Sequence, residues 1–242
     1  MSVVPSGAYT LTSQRPAWVF GGQVGARLAG ITTTSGSDAL GAFQVTQFTY
    51  LDKSGVSRQG AIRAYTGQSI VVFTDTHVAA GSNIAPFPRL TSYPSNLYHL
   101  TYQYAFAQHT FAAFGSDSPW LFFDAQANAF MLSPASDFLV ASTSRTKGGV
   151  ISTGITPVIT QLPQGFTHAT MLVVGQGINS TMGTWGLAMT TLQGKVRTPN
   201  DADATLNMLG YWTDHGAAYY YTYDSSLGYA GTLLNVSDSF KQ

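Results

Sequence analysis

The sequence predicts a mainly β fold: a large antiparallel β-sandwich, followed by a linking helix and one β-α unit. Three observations predict it. From Tyr9 to about Gly175, short runs rich in β-branched and aromatic residues are broken by Gly, Pro, Asn, Asp and Ser, with almost no helical periodicity. Between Gly177 and Gln193 the apolar spacing changes to three or four residues. Beyond that, a charged stretch leads into a short apolar run and a second segment that can be helical. A chain of 242 residues with 44% apolar side chains is long enough to enclose a substantial core.

The clearest strands lie at 42–51, 59–65, 69–77, 120–124, 129–133 and 138–144. In the first, Phe43, Val45, Gln47 and Thr49 alternate with Gln44, Thr46, Phe48 and Tyr50, so neither face is purely polar and both are expected to be covered, as two stacked sheets would do. Hairpin-length loops holding Gly55 and Gly67 separate the first three runs, which predicts consecutive antiparallel strands. The stretch 82–94 carries Pro86, Pro88 and Pro94. It is excluded as a central strand and expected to cross the sandwich as an ordered loop, its aromatics packed inward or lining a groove.

After 167–174, the residues Ile178, Met182, Trp185, Met189 and Leu192 form a helical stripe that Gly194 closes, with Lys195 and Arg197 where cations suit a helix C-terminus. A linker then leads into 205–209, which reads as a strand, and 229–240 reads as a helix. These predict a sandwich over 1–176, a linking helix and linker over 177–204, and a β-α unit over 205–242. A lone β-α unit cannot be a domain.

Composition excludes several functions. Charged residues make up 9% of the chain, and 11 basic and 11 acidic side chains cancel, so there is no electrostatic footprint for nucleic acid or an anionic membrane. The absence of cysteine removes disulfides, thiolate metal sites and a cysteine nucleophile. The start lacks a basic region followed by a continuous apolar one, and no stretch of about eighteen apolar residues occurs, so the chain reads as soluble, without a visible export signal and cytoplasmic by default. His77, His99, His109, His168 and His215 show no zinc-binding spacing, and Asp201 with Asp203 lacks the glycine and glutamate of a calcium loop, so neither metal nor cofactor is expected. Gly175-Gln-Gly177 is a poor phosphate cradle, with no lysine and no third glycine. No serine sits in a nucleophile elbow, and Asp117, Asp124 and Asp137 read as turn residues.

The segment 205–224 says most about function. An apolar run ending at Gly210 is followed by Trp212, Asp214, His215 and Tyr219, Tyr220, Tyr221 and Tyr223. Aromatic rings stack on the C–H face of a sugar, while a carboxylate and an imidazole bind its hydroxyls. Carbohydrate is therefore the expected partner, with Trp212, Asp214 and His215 as its contacts.

A sandwich of about 175 residues, a linking helix, and a Gly-Tyr-Trp-Thr-Asp segment entering a β-α unit together resemble the front of the alpha-galactosidase and raffinose synthase superfamily of glycoside hydrolases. Gly210, Thr213, Asp214 and Tyr219 to Tyr221 carry the local likeness, although Trp212 stands two positions before Asp214 rather than beside it. The resemblance implies a β-supersandwich truncated at the start of a (β/α)8 barrel, with Asp214 at the C-terminal end of the first barrel strand. It further implies hydrolysis or galactosyl transfer on alpha-galactoside-type sugars, with both catalytic carboxylates on later barrel strands. This chain alone is then inactive, its catalytic residues none, and it self-associates or pairs with a barrel-containing fragment. The reading from another class is a non-catalytic carbohydrate-binding or self-assembling β-sandwich module.

Overall fold

A computed structural model describes residues 1–25, 27–82, 85–101, 119–208 and 223–239. It divides into two units, Met1–Lys195 and Val196–Gln242. In the first, the strands in chain order are β1 (Ser2–Val3), β2 (Ala8–Thr12), β3 (Val19–Gln23), β4 (Arg27–Asp38), β5 (Gly41–Leu51), β6 (Ser57–Tyr65), β7 (Ile70–His77) and β8 (Gly81–Ser82). They continue with β9 (Arg89–Leu90), β10 (Tyr98–Thr101), β11 (Trp120–Phe123), β12 (Asn128–Pro134), β13 (Ala141–Arg145), β14 (Ile151–Ile155), β15 (Gln161–Leu162) and β16 (Thr167–Gln176). A helix, α1 (Ile178–Leu192), follows. The fold is mainly β, as the sequence predicts.

Eight strands form one antiparallel sheet in the order β10-β11-β12-β16-β7-β6-β5-β4. The predicted meander β5-β6-β7 is present. Between β5 and β6 the Asp52 carboxylate accepts from the amides of Ser54 (2.9 Å) and Val56 (3.0 Å), while Gly55 takes a left-handed conformation at φ +81°. β4, twelve residues rich in Thr and Ser, has no alternation that would announce it, because nearly all of it is exposed on both faces; pairing with β5 along its length holds it extended.

The second layer is built from two three-stranded sheets, β1-β2-β3 and β13-β14-β9, tied by a bridge between Gly21 and Ser92. Period-two alternation sends one side of the large sheet inward: Phe48 and Tyr50 of β5, Ile62 of β6, Phe73 of β7, Phe122 of β11, Phe130 of β12 and Leu172 of β16. These meet Tyr9, Leu11, Trp18, Phe20, Phe87, Leu90 and Ile151 from the second layer. The proline-rich passage behaves as predicted. Among its described residues it contributes the end of β8 at Ser82 and the two-residue β9, and Phe87 turns inward to meet Tyr9, Phe48 and Phe73 edge-on at 6.0, 5.7 and 5.7 Å.

The other face of the large sheet carries α1. Ile178, Trp185, Met189 and Leu192 of the predicted stripe pack on a cluster that includes Met131, Met171 and Val173, whereas Met182 is largely turned to solvent. The Trp185 indole donates to Ser133 Oγ (2.8 Å), and Gln193 Nε2 donates to the Ala135 carbonyl (2.8 Å). Gly175 lets the helix approach: a Cβ there would lie 2.5 Å from Thr181 Oγ1. Gly194 follows α1 at φ +61°. In β5, cover on the outward face is only partial, since Phe43, Val45, Gln47 and Thr49 are half-buried, while on the inward face Ala42 and Gln44 lie beyond the core and are exposed.

In the second unit the strand expected at 205–209 is corrected. Residues Ala204–Asn207 form a helical turn, α2, because Asp203 caps it, accepting from the Thr205 amide (2.9 Å) and hydroxyl (2.7 Å). The same contacts give Asp203 a capping role. The helix expected at 229–240 is α3 (Gly228–Ser239), preceded by a turn in which Asp224 accepts from the Ser226 amide (2.8 Å). Among the described residues no helix is long and apolar enough to cross a membrane.

Candidate functional site

Trp212, Asp214 and His215, with Tyr219 to Tyr221, lie outside the described residues. At the margin of that segment Tyr223 is partly exposed and meets Tyr229 at 4.7 Å between ring centroids.

The best-defined polar site is inside the sandwich, where antiparallel register does what sequence distance conceals. β6 and β7 place Arg58 opposite His77 and Gly60 opposite Asp75, and β16 places His168 opposite Asp75. Alternation turns Arg58, Asp75, His77 and His168 to the same inward face, all buried. Arg58 forms an ion pair with Asp75 through Nη2 and donates through Nη1 to the Ala85 carbonyl (2.6 Å). The other Asp75 oxygen accepts from the Tyr50 hydroxyl (2.8 Å). His168 Nδ1 lies 3.5 Å from Asp137 Oδ2 and 3.5 Å from Ser136 Oγ. Arg58 Nε, both His77 ring nitrogens and His168 Nε2 have no hydrogen-bond partner among the described residues.

Burial sets the electrostatics. It lowers His77 from its ordinary value near 6.5 to about 4, helped by the positive Arg58 and opposed by Asp52. His168 is also lowered by burial, with Asp137 pulling it back through a hydrogen bond and its charge. Tyr50 is pushed up to about 12 by burial, against the attraction of Arg58. Both imidazoles are therefore neutral at pH 7. A crevice of about 10 Å³, room for one water-sized group, is lined by Arg58, Asp75, His77 and His168 together with the apolar Pro86, Ile155, Leu162 and Phe166.

The sandwich offers no acid pair for glycoside chemistry among its described residues. All eleven acidic side chains of the protein are aspartates. Asp38 accepts from Arg63 (2.8 Å) and Tyr65 (2.7 Å), Asp52 and Asp124 close turns, Asp75 holds Arg58, and Asp137 accepts from Ser136 (2.6 Å) beside His168. The turn reading of Asp124 is thus correct, and Asp137 has an added contact that its sequence position did not reveal. Among the described residues no three His, Cys, Asp or Glu side chains form a metal-holding group.

No protein-family model matches the chain, and no curated protein is similar to it in sequence. Solved structures give faint likenesses. A beta-arabinopyranosidase aligns over 62% of this chain and 32% of its own at 9% identity and a TM-score of 0.46. The alpha-N-acetylgalactosaminidase NagBb from Bifidobacterium bifidum, in complex with GalNAc, aligns over 82% and 40% at 10% identity and a TM-score of 0.44. A variant of a Glycoside Hydrolase Family 97 enzyme from Pseudoalteromonas sp. strain K8 aligns over 70% and 34% at 11% identity and a TM-score of 0.41. This chain spans less than half the length of each. All three are glycoside hydrolases; values this low carry no inference about fold or chemistry.

Proposed function

We propose that this chain is the amino-terminal β-sandwich region of a carbohydrate-active enzyme acting on alpha-galactoside-type sugars, by hydrolysis or galactosyl transfer. Trp212, Asp214 and His215 contact the sugar, and the reacting carboxylates come from elsewhere in the working enzyme. The observation that carries this reading is the employment of the described sandwich aspartates: Asp38 and Asp75 are held in ion pairs, Asp52 and Asp124 close turns, and Asp137 accepts from Ser136 at the turn where its carbonyl accepts from Val140. Sugar contact is assigned to the segment where an indole, a carboxylate, an imidazole and four tyrosines follow one another. Tyr229 and Leu234 of α3 are exposed, which suits a helix that belongs against further barrel elements.

The test is binding and turnover of raffinose and an aryl alpha-galactoside by the pure chain. Calorimetry is expected to show weak binding without turnover, and Trp212→Ala to reduce affinity by about 5- to 10-fold through lost stacking. Turnover abolished by Asp214→Asn, or affinity unchanged in both variants, overturns the reading. The non-catalytic binding or self-assembling module is favoured by one observation, the closed two-sided core of the first unit. It predicts sugar binding that survives deletion of residues 205–242.

A further inference from the structure

One edge of the eight-stranded sheet is formed by β4, and among the described residues nothing pairs with its outer side. Monomeric proteins guard such an edge with lysine, proline, short length or a covering element. β4 runs for twelve residues, holds no lysine or proline, carries no charge between Arg27 and Asp38, and is exposed on both faces from Ala29 to Ser37. Its one bulge, between Leu28 and Gly30, lies at the start, and Gly30 to Asp38 pairs with β5 without interruption. Ile31 and Thr32 to Thr34 are β-branched, the residue type that favours an extended, paired backbone.

The register fixes where the backbone groups of β4 point. The Ala42 carbonyl accepts from the Thr66 amide on the β6 side, so even positions of β5 are directed to β6 and odd ones to β4. Phe43, Val45, Gln47 and Thr49 stand opposite Gly36, Thr34, Thr32 and Gly30, whose N–H and C=O groups are therefore turned to β5. Those of Ile31, Thr33, Ser35 and Ser37 are turned outward.

We propose that a second copy of this chain pairs with this edge, β4 against β4, antiparallel about a two-fold axis at Thr34. That register sets Ile31 opposite the partner subunit's Ser37, Thr33 opposite the partner subunit's Ser35, and Thr34 opposite its own equivalent. Each pair of outward-turned residues exchanges two hydrogen bonds, so all four outward residues are used and the bulge stays outside the seam. Centring on Thr32 or Thr33 instead brings Ala29 of the bulge opposite an outward residue. Antiparallel pairing also brings together the unlike ends of the strand, Arg27 and Asp38. A foreign peptide finds no charge between those ends to select it, whereas a second β4 matches the edge group for group, and a two-fold contact closes at two copies. The contact does not rest on the sugar reading.

Sedimentation velocity of the full chain over a concentration series is expected to show a reversible monomer–dimer equilibrium. Thr34→Lys sets two like charges opposite one another at an exposed position and should raise the dissociation constant about five-fold, with unchanged far-UV circular dichroism. Cross-linking reads the register, because the chain contains no cysteine. Facing residues of a non-hydrogen-bonded pair lie about 4.5 Å apart between Cα atoms, within disulfide reach, so Thr34→Cys oxidised with diamide should give a covalent dimer. Thr32→Cys, likewise exposed and on the same face, stands opposite Gly36 of the partner subunit and should not cross-link. A chain that is monomeric throughout, a dimer that Thr34→Lys does not loosen, or cross-linking at Thr32 equal to that at Thr34 each overturns the proposal, the first assigning the edge to another partner or to solvent. If a variant does not fold, the wild-type concentration series decides.

Discussion

The two ends of one sheet face differ in kind. At one end Phe130 is surrounded by Phe122 at 4.7 Å, Phe20 at 4.9 Å and Trp18 at 5.6 Å, a dry cluster with edge-on and stacked geometry. At the other, strands β7 and β16 bury Asp75, His77 and His168, with Arg58 of β6 beside them. The aromatic end is held by contact area, which is non-directional and tolerates no cavity. At the polar end Arg58, Asp75 and Tyr50 are held by reciprocal pairing, in which each group is acceptable only while its partner is present, and His77 is buried beside them with neither ring nitrogen paired among the described residues. A single sheet can thus be rigid for opposite reasons along its length.

The widest separation between the ends comes from Phe130→Ala, expected to cost about 4–5 kcal/mol in urea unfolding because a fully buried ring leaves a hole among three others. No second substitution of comparable volume elsewhere should repair it. Arg58→Met is expected to cost about 3–4 kcal/mol by stranding Asp75, and here a repair exists: the double variant Arg58→Met/Asp75→Leu should recover most of the loss. A double variant as unstable as the single one would show that the polar end, too, is held chiefly by shape.

Acidity discriminates next. His77 is depressed in the folded chain, so the unfolded chain takes up its proton first. Stability contributed by the neutral ring is whole above about pH 6.5, falls as pH drops through the window to about 4, and falls no further on account of this group below it. Urea midpoints should follow that course, and His77→Gln should flatten it. A slope unchanged by this substitution would assign the acid response elsewhere. The smallest effect is on the back of the sheet: Trp185→Phe removes the indole bond to Ser133, for about 1 kcal/mol.

What could be read from the sequence follows from these same physical differences. The meander β5-β6-β7 was legible because alternation and two glycine loops act within a few residues, and α1 because Trp185, Met189 and Leu192 repeat on a helical period. Residues 205–209 misled, since a short apolar run reads as a strand while the deciding contact, the Asp203 cap on Thr205, is a local hydrogen bond. The polar cluster was hidden because His77 and His168 lie on strands far apart in the chain. A signal did exist: the hairpin loop around Gly67 fixes the register that sets Arg58 opposite His77, so two consecutive strands each carry polar groups at inward positions.

The seating of α1 has a mechanical outcome. Thr181 rests against the Gly175 backbone, Trp185 is tethered to β12 through Ser133, and Gln193 grips the Ala135 carbonyl just past the end of that strand. The helix is thus riveted at its beginning, middle and end. Tension applied to the chain beyond Lys195 therefore passes through α1 into β12 and β16, two interior members of the eight-stranded sheet, rather than uncoiling the helix turn by turn.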